Sequence, residues 1–160
     1  MKFLVLISEN CQNTFMHLRL AERLANFMNY SLDVFTSNRG LKIKVNNLLY
    51  FSYLKKIKNM KEYGFDPKFI LTSIVTIYSS FVDYPEFIDY VIRDQRAFKF
   101  ENFEKVLDLK SLGKIQIQYN HYNYFVKFHE LTKKAYAEYK ESIVKIKIIR
   151  GKINNPALIP

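Results

Sequence analysis

Few side chains in this sequence are of a type and spacing that could make or break bonds. The single cysteine, Cys11, has no basic sequence neighbour to lower its thiol pKa and no evident partner base, so a thioester-forming step is not assigned to it. Of the histidines His17, His121 and His129, the last two stand about two helical turns apart on one face. No cysteine or further histidine completes a ligand set with them. Glu101 and Glu104 sit at i, i+3, where solvated carboxylates belong on a helix surface. The four glycines are dispersed, so no phosphate-cradling loop is present. Tyr119, Tyr122 and Tyr124 interleave with polar residues in YNHYNY beside a lysine-rich stretch. Such a combination can stack on single-stranded nucleic acid, although packing of helical aromatics accounts for most of it. No residue is assigned a catalytic, cofactor-binding or metal-ligating role, and no cofactor is expected.

The elements that would position these groups are helices. Asp66-Pro67 reads as an N-cap followed by proline at the first helical position, where a missing N–H costs nothing. Asp83-Tyr84-Pro85-Glu86 repeats the device and adds an acid three residues after Asp83, as in a capping box. Phe69, Ile70, Ile74 and Ile77, then Phe87, Ile88, Val91 and Ile92, give each helix an apolar stripe. After the second comes a charged corner, Arg93-Asp94-Gln95-Arg96, whose aspartate and arginine can satisfy helix-end groups and pair with each other.

Upstream, Met1 to Ile7 reads as the stub of a helix, its five consecutive apolar residues being too few for a signal peptide or a membrane span. Asn13 and Thr14 read as caps of a long helix to about Phe35, with Leu20, Leu24, Phe27, Met28 and Leu32 on its buried side. Asn38-Arg39-Gly40 would end it, and Leu41 to Val45 would be extended. Downstream, a short helix spans Asn102 to Lys110 with Phe103, Val106 and Leu107 inward. Ser111-Leu112-Gly113 stops it, and a last helix runs from about Ile117 to Lys147 on a stripe of Tyr124, Phe125, Phe128, Leu131 and Ala135. The expected fold is all-α, about five to seven helices forming a segment of an α-solenoid.

Composition agrees with one globular domain: 160 residues, 49% apolar and 25% charged, with no possible internal disulfide and hence a reducing setting. The net charge of +10 is uneven. Residues 1–50 carry 6 basic and 3 acidic groups, 51–110 carry 10 and 9, and 111–160 carry 9 and 3. A basic face can attract phosphates. The whole chain is nevertheless rich in Lys, Asn, Ile, Tyr and Phe, so a solvated lysine-rich surface is the plainer reading.

The run YGFDPKFILTSIVTIY, followed by FIDYVIRDQRAFKFENFEKV, resembles the late core region of the ubiquitin conjugation factor family, the U-box ligases that elongate ubiquitin chains. Arg23-Leu24-Ala25 through Asn29-Tyr30, then Leu41 to Val45, match the family in the same order, and the resemblance covers roughly residues 20–139. Arg23, Asn29, Asp66, Pro67, Asp94, Arg96 and Phe103 carry it as an architectural motif. Where the family places serines that cap the helix after its Asp-x-Arg corner, this chain has Ala97 and Lys99. The loss is worth about 1 kcal/mol unless Asn102 or water substitutes.

The resemblance implies an irregular armadillo-like stack over residues 1–150, with an insertion at about 46–60 and a tail at 151–160 containing no U-box. The insertion reads as a surface helix over the neighbouring core, or as a basic amphipathic helix docking on a membrane or partner. The resemblance also implies a role in proteasome-linked and endoplasmic-reticulum-associated degradation, in the cytoplasm or nucleus. The implied partners are the ubiquitin-conjugating machinery and a Cdc48-type segregase, without membrane insertion. In that family the U-box orients a loaded conjugating enzyme and the helical core holds partners. A basic helical nucleic-acid-binding or adaptor protein is the alternative.

Overall fold

The computed structural model describes residues 1–17, 20–37 and 66–154. Among them are seven helices and no strand: α1 (Lys2–Asn10), α2 (Gln12–His17), α3 (Leu20–Thr36), α4 (Pro67–Ser80), α5 (Pro85–Arg93), α6 (Phe100–Ser111) and α7 (Tyr119–Asn154). The all-α reading therefore stands. The Asn38–Gly40 stop, the extended stretch at 41–45 and the insertion at 46–60 lie outside the described residues.

Helix α4 is the axis of the stack, packing against α7, α1 and α3. It is buried on nearly every side, with Leu71, Ile74, Val75, Ile77 and Tyr78 among its covered residues, and a helix enclosed all round must be apolar all round. Its buried serine and threonine hydroxyls each reach a carbonyl of the preceding turn, and Ser79 also lies 2.7 Å from His121 O of α7. Ser73 donates to Phe69 O (2.8 Å), Thr76 to Thr72 O (3.1 Å) and Ser79 to Val75 O (2.8 Å), so no donor is left unmet. Around α4 gather six buried rings, Tyr78, Phe81, Phe87, Phe103, Phe125 and Phe128. Phe81 stacks on Phe87 at 4.2 Å and Phe103 on Phe125 at 5.9 Å. Each such side chain stabilises the fold by roughly 1.5–3 kcal/mol through burial alone.

The helix ends are closed in different ways. Asp66 caps α4 as expected, its Oδ1 accepting from the N–H groups of Lys68 (2.9 Å) and Phe69 (3.3 Å) with Pro67 at N1. The stop at Gly113 is a Schellman turn: Gly113 has φ +65°, its N–H bonds Lys110 O and the Lys114 N–H bonds Leu109 O. Asp83, by contrast, does not cap α5. The N-cap position is Tyr84, with no side-chain bond, and Asp83 instead accepts from Lys127 Nζ at 2.9 Å. One residue of slippage aims the carboxylate sideways across to α7. Asn13 and Thr14 likewise lie inside α2, whose first turn is closed by the Cys11 carbonyl accepting from Thr14 N and Phe15 N.

Two apolar stripes are rotated from their expected faces. In α3, Leu24, Met28 and Leu32 are buried, but Leu20 and Phe27 are exposed and Ala21 and Ala25 take their place at 0% exposure. Small side chains let the neighbouring helix approach where Leu20 and Phe27 would hold it off. In α7, Phe125 and Phe128 are buried, Tyr124 and Leu131 are exposed, and the seam passes through Thr132, whose hydroxyl is satisfied by Phe128 O at 2.7 Å. Similar smaller shifts expose Phe69 and replace Leu107 with Leu109 as the buried leucine of α6. Helix α7 begins at Tyr119 and continues to Asn154, four residues into the stretch read as tail.

Candidate functional site

Four of the residues singled out by the sequence, Asn29, Asp94, Arg96 and Phe103, gather around the corner that follows α5. Asn29, 2% exposed on α3, joins three elements. Its Oδ1 accepts from the Tyr78 hydroxyl of α4 at 2.8 Å. Its Nδ2 donates to Val91 O of α5 at 2.9 Å and to Asp94 Oδ2 at 3.2 Å. The orientation of the amide is fixed by its neighbours, since a carbonyl and a carboxylate can only accept while the phenol can donate. Asp94 spends its other oxygen on the corner itself, accepting from Arg96 N (3.1 Å) and Ala97 N (3.3 Å). The four-residue run thus folds back on α5 because one aspartate caps the turn that follows it.

Burial holds the Tyr78 hydroxyl well above its ordinary pKa, and the negative Asp94 pushes it further in the same direction. The phenol therefore stays protonated and remains a donor. Phe103, 1% exposed, lies against the Tyr78 ring at 5.1 Å and closes the hub from α6.

A second polar tie lies alongside. Asp33 of α3 accepts from Lys99 Nζ (2.8 Å to each oxygen) and from Asn102 Nδ2 at 3.0 Å. Partial burial pushes the Asp33 carboxyl upward, but hydrogen bonds from Lys99 and Asn102 and the charges of Lys99 and Lys105 outweigh it. Its pKa falls below the ordinary carboxylate value. This tie replaces the missing serine caps: Lys99 holds the N-cap position of α6 with no side-chain cap bond, and Asn102 turns its amide to α3 instead of to the helix end. On the outer side, Arg93 pairs with Asp89 at 2.7 Å and lies 5.9 Å over the Tyr139 ring. The Asp89 hydrogen bond and charge raise the Arg93 pKa further.

Not every motif residue joins the hub. Arg23 is exposed on α3, and Asp66 and Pro67 start α4 elsewhere. Arg96 contributes its backbone N–H to Asp94, but its exposed guanidinium has no ion pair or hydrogen bond among the described residues. The expected Asp94–Arg96 side-chain pair is therefore replaced by a backbone turn. A groove of about 470 Å³ passes between this corner and Glu22, Asn26 and Tyr90. Tyr78 and Asp33 were missed in the sequence; a tyrosine ending the run ILTSIVTIY was the available signal, because a buried phenol needs a partner.

The other candidates stand apart. His121 Nε2 is 3.5 Å from Glu9 Oε1. His129 stacks on Phe100 at 4.7 Å, and its buried Nε2 has no hydrogen-bond partner among the described residues. Burial lowers its pKa, with Lys133 adding to the effect and Glu104 and Glu130 opposing it. Cys11, Glu101 and Glu104 are exposed. Among the described residues no three His, Cys, Asp or Glu side chains gather as a metal site, and no helix is long and apolar enough to cross a membrane.

Fold and site together define an all-α helical core whose central polar groups bind one another and fix helix positions. A family model described as ubiquitin elongating factor core matches residues 1–135, and the chain belongs to that family. The match takes in α1 and α2 as well as most of the stretch at 20–139 that carries the resemblance, ending at residue 135. One similar protein is the E4 ubiquitin-protein ligase UFD2 of Saccharomyces cerevisiae, 27% identical over 109 residues. That alignment covers 68% of this chain and 10% of the yeast protein, so the chain spans a small part of its relative's length. No solved structure matches.

Proposed function

We propose that this chain serves in ubiquitin chain elongation as a helical core that holds partners in position, without itself supplying the group that transfers ubiquitin. The family match across residues 1–135 carries the reading, and the partial likeness to the yeast ligase supports it. The hub adds a physical reason. A core whose helices are tied by Asn29, Tyr78 and Asp94 keeps bound molecules in a fixed relation, and fixed relation is what converts a chance encounter into an effectively unimolecular step. On this reading the stack is armadillo-like, the partners are the ubiquitin-conjugating machinery and a Cdc48-type segregase, and the setting is cytoplasmic or nuclear. One observation favours a second reading: Tyr119 and Tyr124 are 78% and 50% exposed on a lysine-rich helix, as stacking on single-stranded nucleic acid would require.

The test measures binding of the 160-residue chain to a ubiquitin-loaded conjugating enzyme and to a purified segregase, alongside a ubiquitin chain-formation reaction. Saturable binding to at least one is expected, with chains appearing only when a U-box polypeptide is added. Chains made by these residues alone would overturn the positioning role. Salt-sensitive retention on RNA with no binding to either protein would replace the ubiquitin reading with the second one.

A further inference from the structure

The loop entering α7 carries an unused edge. After the Schellman turn the chain runs without helix to Gln118, and burial alternates along it. Ile115 and Ile117 are buried at 4% and 7% exposure, while Gln116 and Gln118 face outward. That period of two belongs to an extended chain. Thr72 of α4 donates its hydroxyl to Gln116 O at 3.2 Å and fixes the segment in place. Among the described residues, no hydrogen bond engages the backbone N–H groups of residues 115–118.

A groove of about 490 Å³ runs beside this edge. Thr72 and Thr76 of α4, Val5 and Glu9 of α1, and Gln116 and Gln118 line it, together with His121, whose Nε2 is 3.5 Å from Glu9 Oε1. A second space of about 300 Å³ shares Val5, Glu9, Thr72 and Thr76 and continues to Lys2 and Phe69. The groove is thus mixed apolar and polar and follows α1 from Glu9 to Lys2, about 10 Å at the helical rise, the length of about three extended residues. The Glu9 carboxylate stands at its His121 end, in a chain whose net charge is +10.

We propose that this groove docks an extended peptide from a partner protein, which pairs its backbone with residues 115–118 and sets a basic side chain against Glu9. Unpaired main-chain donors beside an open channel are what strand addition uses for affinity, and flanking side-chain spaces give it selectivity. The carboxylate selects a cationic residue at that end, and Lys2 at the other end accommodates an acidic one. The proposal goes beyond the ubiquitin reading, and its test uses no ubiquitin component, so the two can fail separately.

The probe is a fluorescein-labelled hexapeptide, Thr-Val-Lys-Val-Thr-Val, compared with a version carrying glutamate in place of lysine and with one N-methylated at alternate amides. Fluorescence anisotropy gives affinity and amide NMR shifts give location. The lysine peptide is expected to bind saturably and to shift Gln116, Gln118, Thr72 and Thr76. Alternate N-methylation should weaken it about tenfold or more, since at least two main-chain bonds are lost. Glu9→Lys, checked for an unchanged melting temperature, should weaken the lysine peptide about threefold to fivefold and favour the glutamate peptide, as expected for a partly exposed charge pair. Absence of a saturable response to either unmethylated peptide at millimolar concentration would overturn the proposal. So would shifts clustered elsewhere, or indifference to N-methylation.

Discussion

Replacing Asn29 by alanine removes three hydrogen bonds at once, and the structure sets what each loss costs. The Tyr78 hydroxyl, on a residue with 0% exposure, loses its acceptor; an orphaned buried donor costs about 1–3 kcal/mol. The Val91 carbonyl lies in the last turn of α5, where no intrahelical N–H replaces Asn29, adding about 1 kcal/mol. Asp94 is only half-buried and still holds the N–H groups of Arg96 and Ala97, so its loss is smaller. The sum is about 2–5 kcal/mol, a large part of the roughly 5–15 kcal/mol that holds an ordinary domain together. Urea unfolding followed by far-UV circular dichroism should show the midpoint fall by about 1–2.5 M at an m-value of about 2 kcal/mol/M.

The decisive comparison is with Tyr78→Phe. That change alone should cost about 1 kcal/mol, but combined with Asn29→Ala it removes the orphaned hydroxyl, so the double variant should be about 1–2 kcal/mol more stable than additivity requires. An Asn29→Ala protein within about 0.5 kcal/mol of the parent, or strict additivity with Tyr78→Phe, would refute the claim that this amide ties three helices.

Other outcomes follow from the same geometry. Asp66→Ala should cost about 1 kcal/mol as a lost N-cap, whereas Asp83→Ala, which caps nothing and pairs with Lys127 in solvent, should change stability by less than about 0.5 kcal/mol; thermal unfolding of the pair separates them. His129 has a folded-state pKa below its ordinary 6.5, so below pH 6.5 the unfolded chain binds the proton that the fold refuses. Its contribution is full above that value and is lost as pH falls from 6.5 toward the folded pKa. Urea midpoints at pH 7.5 and 5.5 should therefore differ less in His129→Leu than in the parent. Gly113→Ala should cost about 1 kcal/mol because of φ +65° alone, as no neighbouring atom stands within 4 Å of the added methyl group; a melting temperature equal to the parent's would contradict the turn.

Helix existence was legible because its signals are local. The Asp66 cap and Pro67, the Gly113 stop and the stripe of Phe87, Ile88, Val91 and Ile92 each act over a few residues, and each stands in the structure. Helix faces were less legible. With 3.6 residues per turn, a stripe through Leu20 and Phe27 fits α3 almost as well as one through Ala21 and Ala25, and only the close approach of neighbouring helices selects the alanines.

The chain's order of residues determined by itself that it would be helical, where most helices begin or end, and which family it resembles, since these depend on capping, periodicity and motif order along the chain. Tertiary structure alone decided that Asn29 meets Tyr78, 49 positions away, and Asp94, 65 away, that Asp33 rather than a serine secures the start of α6, and that residues 115–118 border a groove. Hydrogen bonds between distant residues leave no periodic trace in sequence. They form only after hydrophobic burial has brought the helices together, when the buried polar groups must find partners at the separations packing allows.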